Sequence, residues 1–164
     1  LVAVDPLLEH AHRRQWRVDA ELSAYLPGHD AVLLLQRIVQ RAQALQIWSC
    51  AGPAWVRLVE VLLRDGQTDA AALQAKALAC ELDHRPPMTL YAGEYHWALA
   101  RAFDAAGDTA ARDALLGRAL ARIADLAQHH VPDAFRDSFF NRNPFNRQLR
   151  AMASRHGVRA QAPG

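Results

Sequence analysis

Two stretches in the middle of the chain carry one pattern. Trp55-Val56-Arg57-Leu58 leads through Leu62 to Gly66-Gln67-Thr68 and Ala71, and Tyr95-His96-Trp97-Ala98-Leu99 leads through Phe103 to Gly107-Asp108-Thr109, Leu116, Ala119 and Leu120. The glycines are 107 − 66 = 41 positions apart, and a threonine follows two residues after each. Each stretch is an apolar helical face that runs into a glycine turn and a second, alanine-rich helix. A period in the range of about 20–50 residues marks a stacked repeat, in which each helix pair needs its neighbour to bury an apolar face. This constrains the chain to helical hairpins laid side by side.

The rest of the sequence is compatible with that layout. With 164 residues, 51% of them hydrophobic, the chain is long enough for one domain with a core. No apolar run reaches the ~20 residues that span a bilayer. The longest, Ala31 to Cys50, is broken by Gln36, Arg37, Gln40, Arg41, Gln43 and Gln46. Strand-like alternation is nearly absent, and no secretory leader is visible. The net charge of +2 is too mild to imply nucleic acid by itself. Lys76 is the only lysine, and with abundant alanine this arginine bias suggests a GC-rich bacterial coding sequence. Cys50 and Cys80 read as reduced thiols of a cytoplasmic protein. A chain beginning at Leu1 reads as a piece of a longer one.

Helix punctuation predicts eight helices. Asp5-Pro6 opens the first, which runs to about Leu26 before Pro27-Gly28; Asp30 caps the second, with Leu35, Ile38, Ala42 and Leu45 facing inward. Gly52-Pro53 breaks the second helix and starts the third, which ends at Gly66; Thr68 or Asp69 caps a fourth through about Leu82. After Arg85-Pro86-Pro87, Thr89 caps a fifth along Tyr91, Tyr95, Leu99, Phe103 and Ala106. Asp108 or Thr109 begins a sixth reaching about His129, Pro132 a seventh, and Asn143-Pro144 an eighth that stops before Gly157. Short links between helices imply antiparallel neighbours. One helical domain over 1–157 is expected, built from an irregular first hairpin (1–52), two repeats (53–84 and 86–130) and a capping hairpin (131–157), with 158–164 as a tail.

On these residues the chain resembles the tetratricopeptide repeat. With Gly66 as the turn glycine, Trp55, Leu58, Val59, Leu62 and Ala71 fall on the signature positions; with Gly107 there, Leu99, Ala100, Phe103, Leu116 and Ala119 do. Arg112 stands where the second copy should have alanine, Val59 is larger than the usual small residue, and the period exceeds the standard 34. The resemblance covers about half of the chain and implies an all-α, right-handed superhelical stack of about four antiparallel hairpins. The run from Val131 through Phe135, Arg136, Phe139, Phe140, Asn143, Pro144, Asn146 and Arg147 to Leu149 resembles the closing segment of bacterial multidomain regulators in which such repeats follow a signalling ATPase module. It implies the C-terminal interaction or sensor arm of a signalling or transcriptional regulator. Physically, Phe135, Phe139 and Phe140 would seal the last repeat, and Phe145, Leu149 and Met152 would form the inner face of the final helix.

The repeat resemblance also implies that the first helix of each pair lines a concave groove. That places Arg57, Glu60 and Arg64 from one copy and Glu94, Trp97, Arg101 and Asp104 from the next on it, each set on one helix face. Charges beside an indole would hold a peptide, another domain of the parent protein or a small effector. The competing reading is intrahelical pairing, Glu60 with Arg64 and Arg101 with Asp104, beside a buried Trp97.

Other constellations carry less. His10 and His12 point about 200° apart on a helix and cannot share a metal, and His129-His130 sits at a helix end where positive charge is favourable. Neither a phosphate loop nor a nucleophile elbow is present. The stripes His10, Arg13, Arg14, Arg17 and Arg142, Arg147, Arg150, Arg155, Arg159 lack interleaved aromatics and read as solvated faces, with an acidic protein surface a better partner than nucleic acid. The expectation is a non-catalytic interaction or effector-sensing module that needs no metal or cofactor and contacts neither membrane nor nucleic acid. Its rivals are a stand-alone scaffold or homo-oligomerisation module and, more distantly, a helical enzyme.

Overall fold

In the computed structural model residues 6–85 and 92–160 are described, with side chains from Arg14 onward and from Gly93 onward. Asp5, Thr89 and Tyr91, with the side chains of His10, His12 and Arg13, lie outside the described residues. Among those described, the chain is all-α, without a strand: α1 Pro6–Leu22, α2 Gly28–Ala44, α3 Trp48–Arg64, α4 Thr68–His84, α5 Ala92–Ala105, α6 Thr109–His129, α7 Asp133–Asn141 and α8 Pro144–Arg155. No described helix is long and apolar enough to cross a membrane. The chain divides within α4 into two compact units, Leu1–Leu78 and Ala79–Gly164.

In the N-terminal unit α2 packs along α3, and α1 rests on both. Leu35, Ile38, Val39 and Ala42 of α2 and Leu58, Val59 and Leu62 of α3 are buried, as are Ala71, Ala75 and Leu78 of α4. Each fully buried leucine contributes about 2 kcal/mol by leaving water. Val59 is fully buried, so its side chain is part of the core. In the C-terminal unit α5 packs on α6, α8 lies against both, and α7 bridges α6 and α8. Its core is Leu82, Leu99, Ala100, Phe103, Leu115, Leu116, Ala119, Leu149 and Met152.

The glycine turns are two instances of one geometry. Gly66 and Gly107 have φ of 72° and 73°, a left-handed conformation that costs other residues about 1–2 kcal/mol. At the first turn Gln67 N donates to Leu62 O at 2.9 Å and Gly66 N to Leu63 O at 3.2 Å. At the second, Asp108 N donates to Phe103 O at 2.9 Å and Gly107 N to Asp104 O at 3.1 Å. This pairing satisfies the last carbonyls of the outgoing helix and reverses the chain. Asp108 then caps α6, its carboxylate accepting from Ala111 N at 3.0 Å.

A third turn of the same kind was not read from the sequence. The break between the second and third helices falls at Gln46, not at Gly52-Pro53. Gln46 has φ 57°, Ile47 N donates to Ala42 O at 2.8 Å, and Gln46 N to Gln43 O at 2.9 Å. As at the glycines, the next helix starts two residues later, at Trp48. Gly52 and Pro53 sit inside α3. Gly52 is buried, while Pro53 faces outward beside the solvent-exposed Ser49, whose carbonyl loses only the bond that the proline nitrogen cannot donate. Two further expectations shift. Asp30 lies in the first turn of α2, which begins at Gly28, so it complements the helix dipole rather than capping it. The first helix ends at Leu22 and tightens into a 3-10 turn over Ser23–Tyr25, where buried Ser23 Oγ donates to Ala20 O at 2.6 Å.

The closing segment folds at its expected caps but packs differently. Asn143 Oδ1 accepts from Phe145 N at 3.0 Å and Asn146 N at 3.1 Å, capping α8. Of the expected inner face of α8, Leu149 and Met152 are buried and Phe145 is half-buried, while buried Asn146 Nδ2 donates to Phe139 O at 3.0 Å. Phe135 does not seal the unit: it is 63% exposed, and α7 has no fully buried residue. A helix of nine residues presents barely one apolar stripe, and Phe139 and Phe140, edge to face at 5.8 Å, supply it. Leu45, expected to face inward, is 43% exposed because it is the C-cap residue of α2, past the helical register.

Candidate functional site

The residues expected to line a groove are divided between the two units. In the N-terminal unit Arg57 is already engaged: Nη1 meets Glu60 Oε2 at 3.0 Å and Nη2 meets Glu21 Oε2 of α1 at 3.1 Å. Burial works against its charge, but Glu60 and Glu21 outweigh that and raise its pKa above the ordinary arginine value. Arg64 Nε turns to Asp65 at 2.9 Å. Glu60 therefore pairs one turn back, with Arg57, rather than forward with Arg64.

In the C-terminal unit Trp97 and Arg101 sit together on α5, the guanidinium 6.0 Å from the ring centroid. Trp97 is half-buried and Arg101 exposed. Asp104 turns to α6 and accepts from Arg112 Nη1 at 2.7 Å, with His156 Nε2 at 3.6 Å. Glu94 neighbours Tyr95, whose hydroxyl is pushed up to about 12 by burial and, secondarily, by the charge of Glu94. Within this set Trp97 and Arg101 form one pair, the indole half-buried and the guanidinium exposed.

Sequence reasoning passed over a cleft in the C-terminal unit. A cleft of about 220 Å³ is lined by Ala79, Leu82 and Asp83 from the end of α4, His96 of α5, and Leu115, Arg118 and Arg122 of α6. Leu115, Arg118 and Arg122 follow i, i+3, i+7, one stripe of α6. Arg118 Nη1 lies 3.7 Å from Asp83 Oδ2 with about half of its side chain exposed. The lining of the cleft therefore combines two guanidinium groups, an imidazole and a carboxylate with alanine and leucine side chains. The signal that could have found it is the comparison of the two copies: Gln74, Ala77 and Glu81 of the first become Leu115, Arg118 and Arg122 of the second.

The C-terminal arginines are in part structural. Arg150 donates to Asn141 Oδ1 at 3.0 Å and lies 5.1 Å over the Phe140 ring. Arg136 Nε donates to Ala127 O at 2.9 Å and Nη2 to Gln128 O at 3.2 Å, closing the end of α6 with charge of the favourable sign. No disulfide joins buried Cys50 and exposed Cys80. Among the described residues no group of three or more His, Cys, Asp or Glu is placed to hold a metal.

No protein-family model, no curated protein and no solved structure matches the chain.

Proposed function

We propose that this chain is a non-catalytic interaction and effector-sensing module built from tetratricopeptide-like hairpins, and that it serves as an arm of a bacterial signalling or transcriptional regulator. The observation that carries the reading is the recurrence of one helix-turn-helix geometry, with the same left-handed residue, the same pair of turn hydrogen bonds and the same two-residue step into the next helix at Gly66 and Gly107. A recurring two-helix unit offers exposed helix faces, which suits docking rather than bond chemistry. The outward pair Trp97 and Arg101 is the face best fitted to a peptide or protein partner, because an indole and a guanidinium are the commonest anchors of such interfaces. A ligand that favours one packing of the hairpins over another would shift the population of states seen by an attached output domain.

The test is the output of the intact parent protein carrying Trp97→Ala with Arg101→Glu, set beside light scattering on the isolated chain. Altered output from a chain that stays monomeric is expected. Unchanged output, together with a tight dimer that buries the Trp97 face, would replace this reading with a homo-oligomerisation module.

A further inference from the structure

The two copies differ at the place where the cleft opens. Position 96 in the second copy corresponds to position 55 in the first, since 96 − 55 = 41. There the first copy has Trp55, an indole only 6% exposed whose Nε1 donates to Gln74 Oε1 at 2.8 Å. The second copy has His96 and, in place of Gln74, Leu115. A bicyclic ring is thus exchanged for a smaller one, and both residues of the second copy line the cleft of about 220 Å³. A single water needs only about 10–15 Å³ of such space, so a small organic molecule fits.

We infer that the cleft formed by the end of α4, α5 and α6 binds a small organic anion through a carboxylate or phosphate group. The inference deepens the sensing half of the proposed function and rests on it. Arg118 and Arg122 are one turn apart on the same stripe of α6, and a guanidinium fork matches carboxylate and phosphate oxygens two at a time. Ala79, Leu82 and Leu115 take the carbon skeleton, which distinguishes an organic anion from an inorganic one. Asp83 holds Arg118 loosely, at 3.7 Å and with more than half of its own side chain exposed; so exposed a pair contributes about 0–1 kcal/mol, and an entering anion displaces it at little cost.

Calorimetric titration of the 164-residue chain with glutarate, phenyl phosphate and inorganic phosphate tests the site, the first two deciding between a carboxylate and a phosphate head. Saturable binding of one organic anion is expected, about tenfold tighter than inorganic phosphate, and about tenfold weaker in Arg118→Ala. His96→Trp, which installs the first copy's residue, should abolish binding while the circular dichroism stays helical. Asp83→Asn should tighten binding severalfold, the opposite sign to Arg118→Ala. Absence of saturable binding by all three probes, or wild-type affinity in both Arg118→Ala and Asp83→Asn, overturns the inference. The titration reads the site by itself. If it succeeds and His96→Trp leaves the parent protein's output unchanged, the sensing role falls and the site stands.

Discussion

Ala71 and Arg112 occupy one slot in the two copies, five residues beyond the turn glycine, and both are buried, at 0% and 7% exposure. The first copy fills the slot with a methyl group. The second fills it with a cation and surrounds it with acids: Arg112 Nε donates to Asp113 Oδ1 at 2.9 Å and Nη1 to Asp104 Oδ1 at 2.7 Å. The hydrogen bonds to Asp113 and then Asp104 hold the arginine pKa above its ordinary value, against the opposing effect of burial. At the positions matching those aspartates the first copy has Leu63 and Ala72. Three apolar residues have therefore been exchanged as a set for three charged ones. The lesson is that the repeat specifies a helix pair and a turn, and leaves the chemistry of the contact open so long as every member is compensated.

The sharpest way to break that comparison is to leave the arginine without its acids. Replacing Asp104 and Asp113 together by alanine should cost about 3–5 kcal/mol, because a buried guanidinium is left uncompensated. Urea unfolding reads the loss. Installing the whole first-copy set, Asp104→Leu, Arg112→Ala and Asp113→Ala, should recover most of it. A triple variant as unstable as the double one would show that the two slots are not equivalent.

The turns come next in size. Gly66→Ala and Gly107→Ala should each cost about 1–2 kcal/mol, since φ is positive at both and alanine is strained there. Nothing within 4 Å of either glycine would meet the added methyl, so the cost is backbone strain alone and should be equal in the two variants. A twofold difference in free-energy loss between them would undo the likeness of the copies.

A smaller effect is expected at the closing helix, where Asn143→Ala should cost about 1 kcal/mol by removing the cap of α8. A comparable loss is expected for Asp108→Ala at α6, and thermal melting compares them.

The smallest effect depends on pH. Tyr95 has a folded pKa of about 12 against an ordinary 10. Its neutral form is the one the fold favours, so its contribution is complete below pH 10 and is lost as pH rises towards about 12. The first copy has Ala54 at the matching position, so the dependence belongs to the C-terminal unit. Tyr95→Phe should flatten the alkaline limb of stability against pH while changing little at neutrality; an unchanged limb would remove Tyr95 from the account.

How much was legible follows from which signals are local. The helices, the glycine stops, the cap at Asn143 and, as one of two candidates with Thr109, the cap at Asp108 were legible because each depends on a few adjacent residues: a left-handed φ that suits glycine, and a short polar side chain that reaches an amide two or three positions on. The turn at Gln46 escaped for the same reason. Glutamine carries no local signal for a positive φ, and the conformation is held by buried Ile47 and its bond to Ala42. The candidate groove was legible only as helix faces. That Arg57 is engaged by Glu21, and Asp104 by Arg112, depends on residues 36 and 8 positions away, and periodicity does not choose among partners at such separations.

By itself, then, the sequence determined an all-α chain of short-linked helices with two like turns 41 residues apart, because helix period, capping and glycine conformation act within one or two turns of backbone. Only the tertiary structure decided what those helices do to one another: that Arg112 is buried between acids, that Phe135 faces water, and that His96, Arg118 and Arg122 line one cleft where Trp55 of the first copy is buried in the core. Those outcomes are set by side chains that meet through packing across separate helices, where the cost of an uncompensated charge and the volume of one aromatic ring outweigh any preference encoded along the chain.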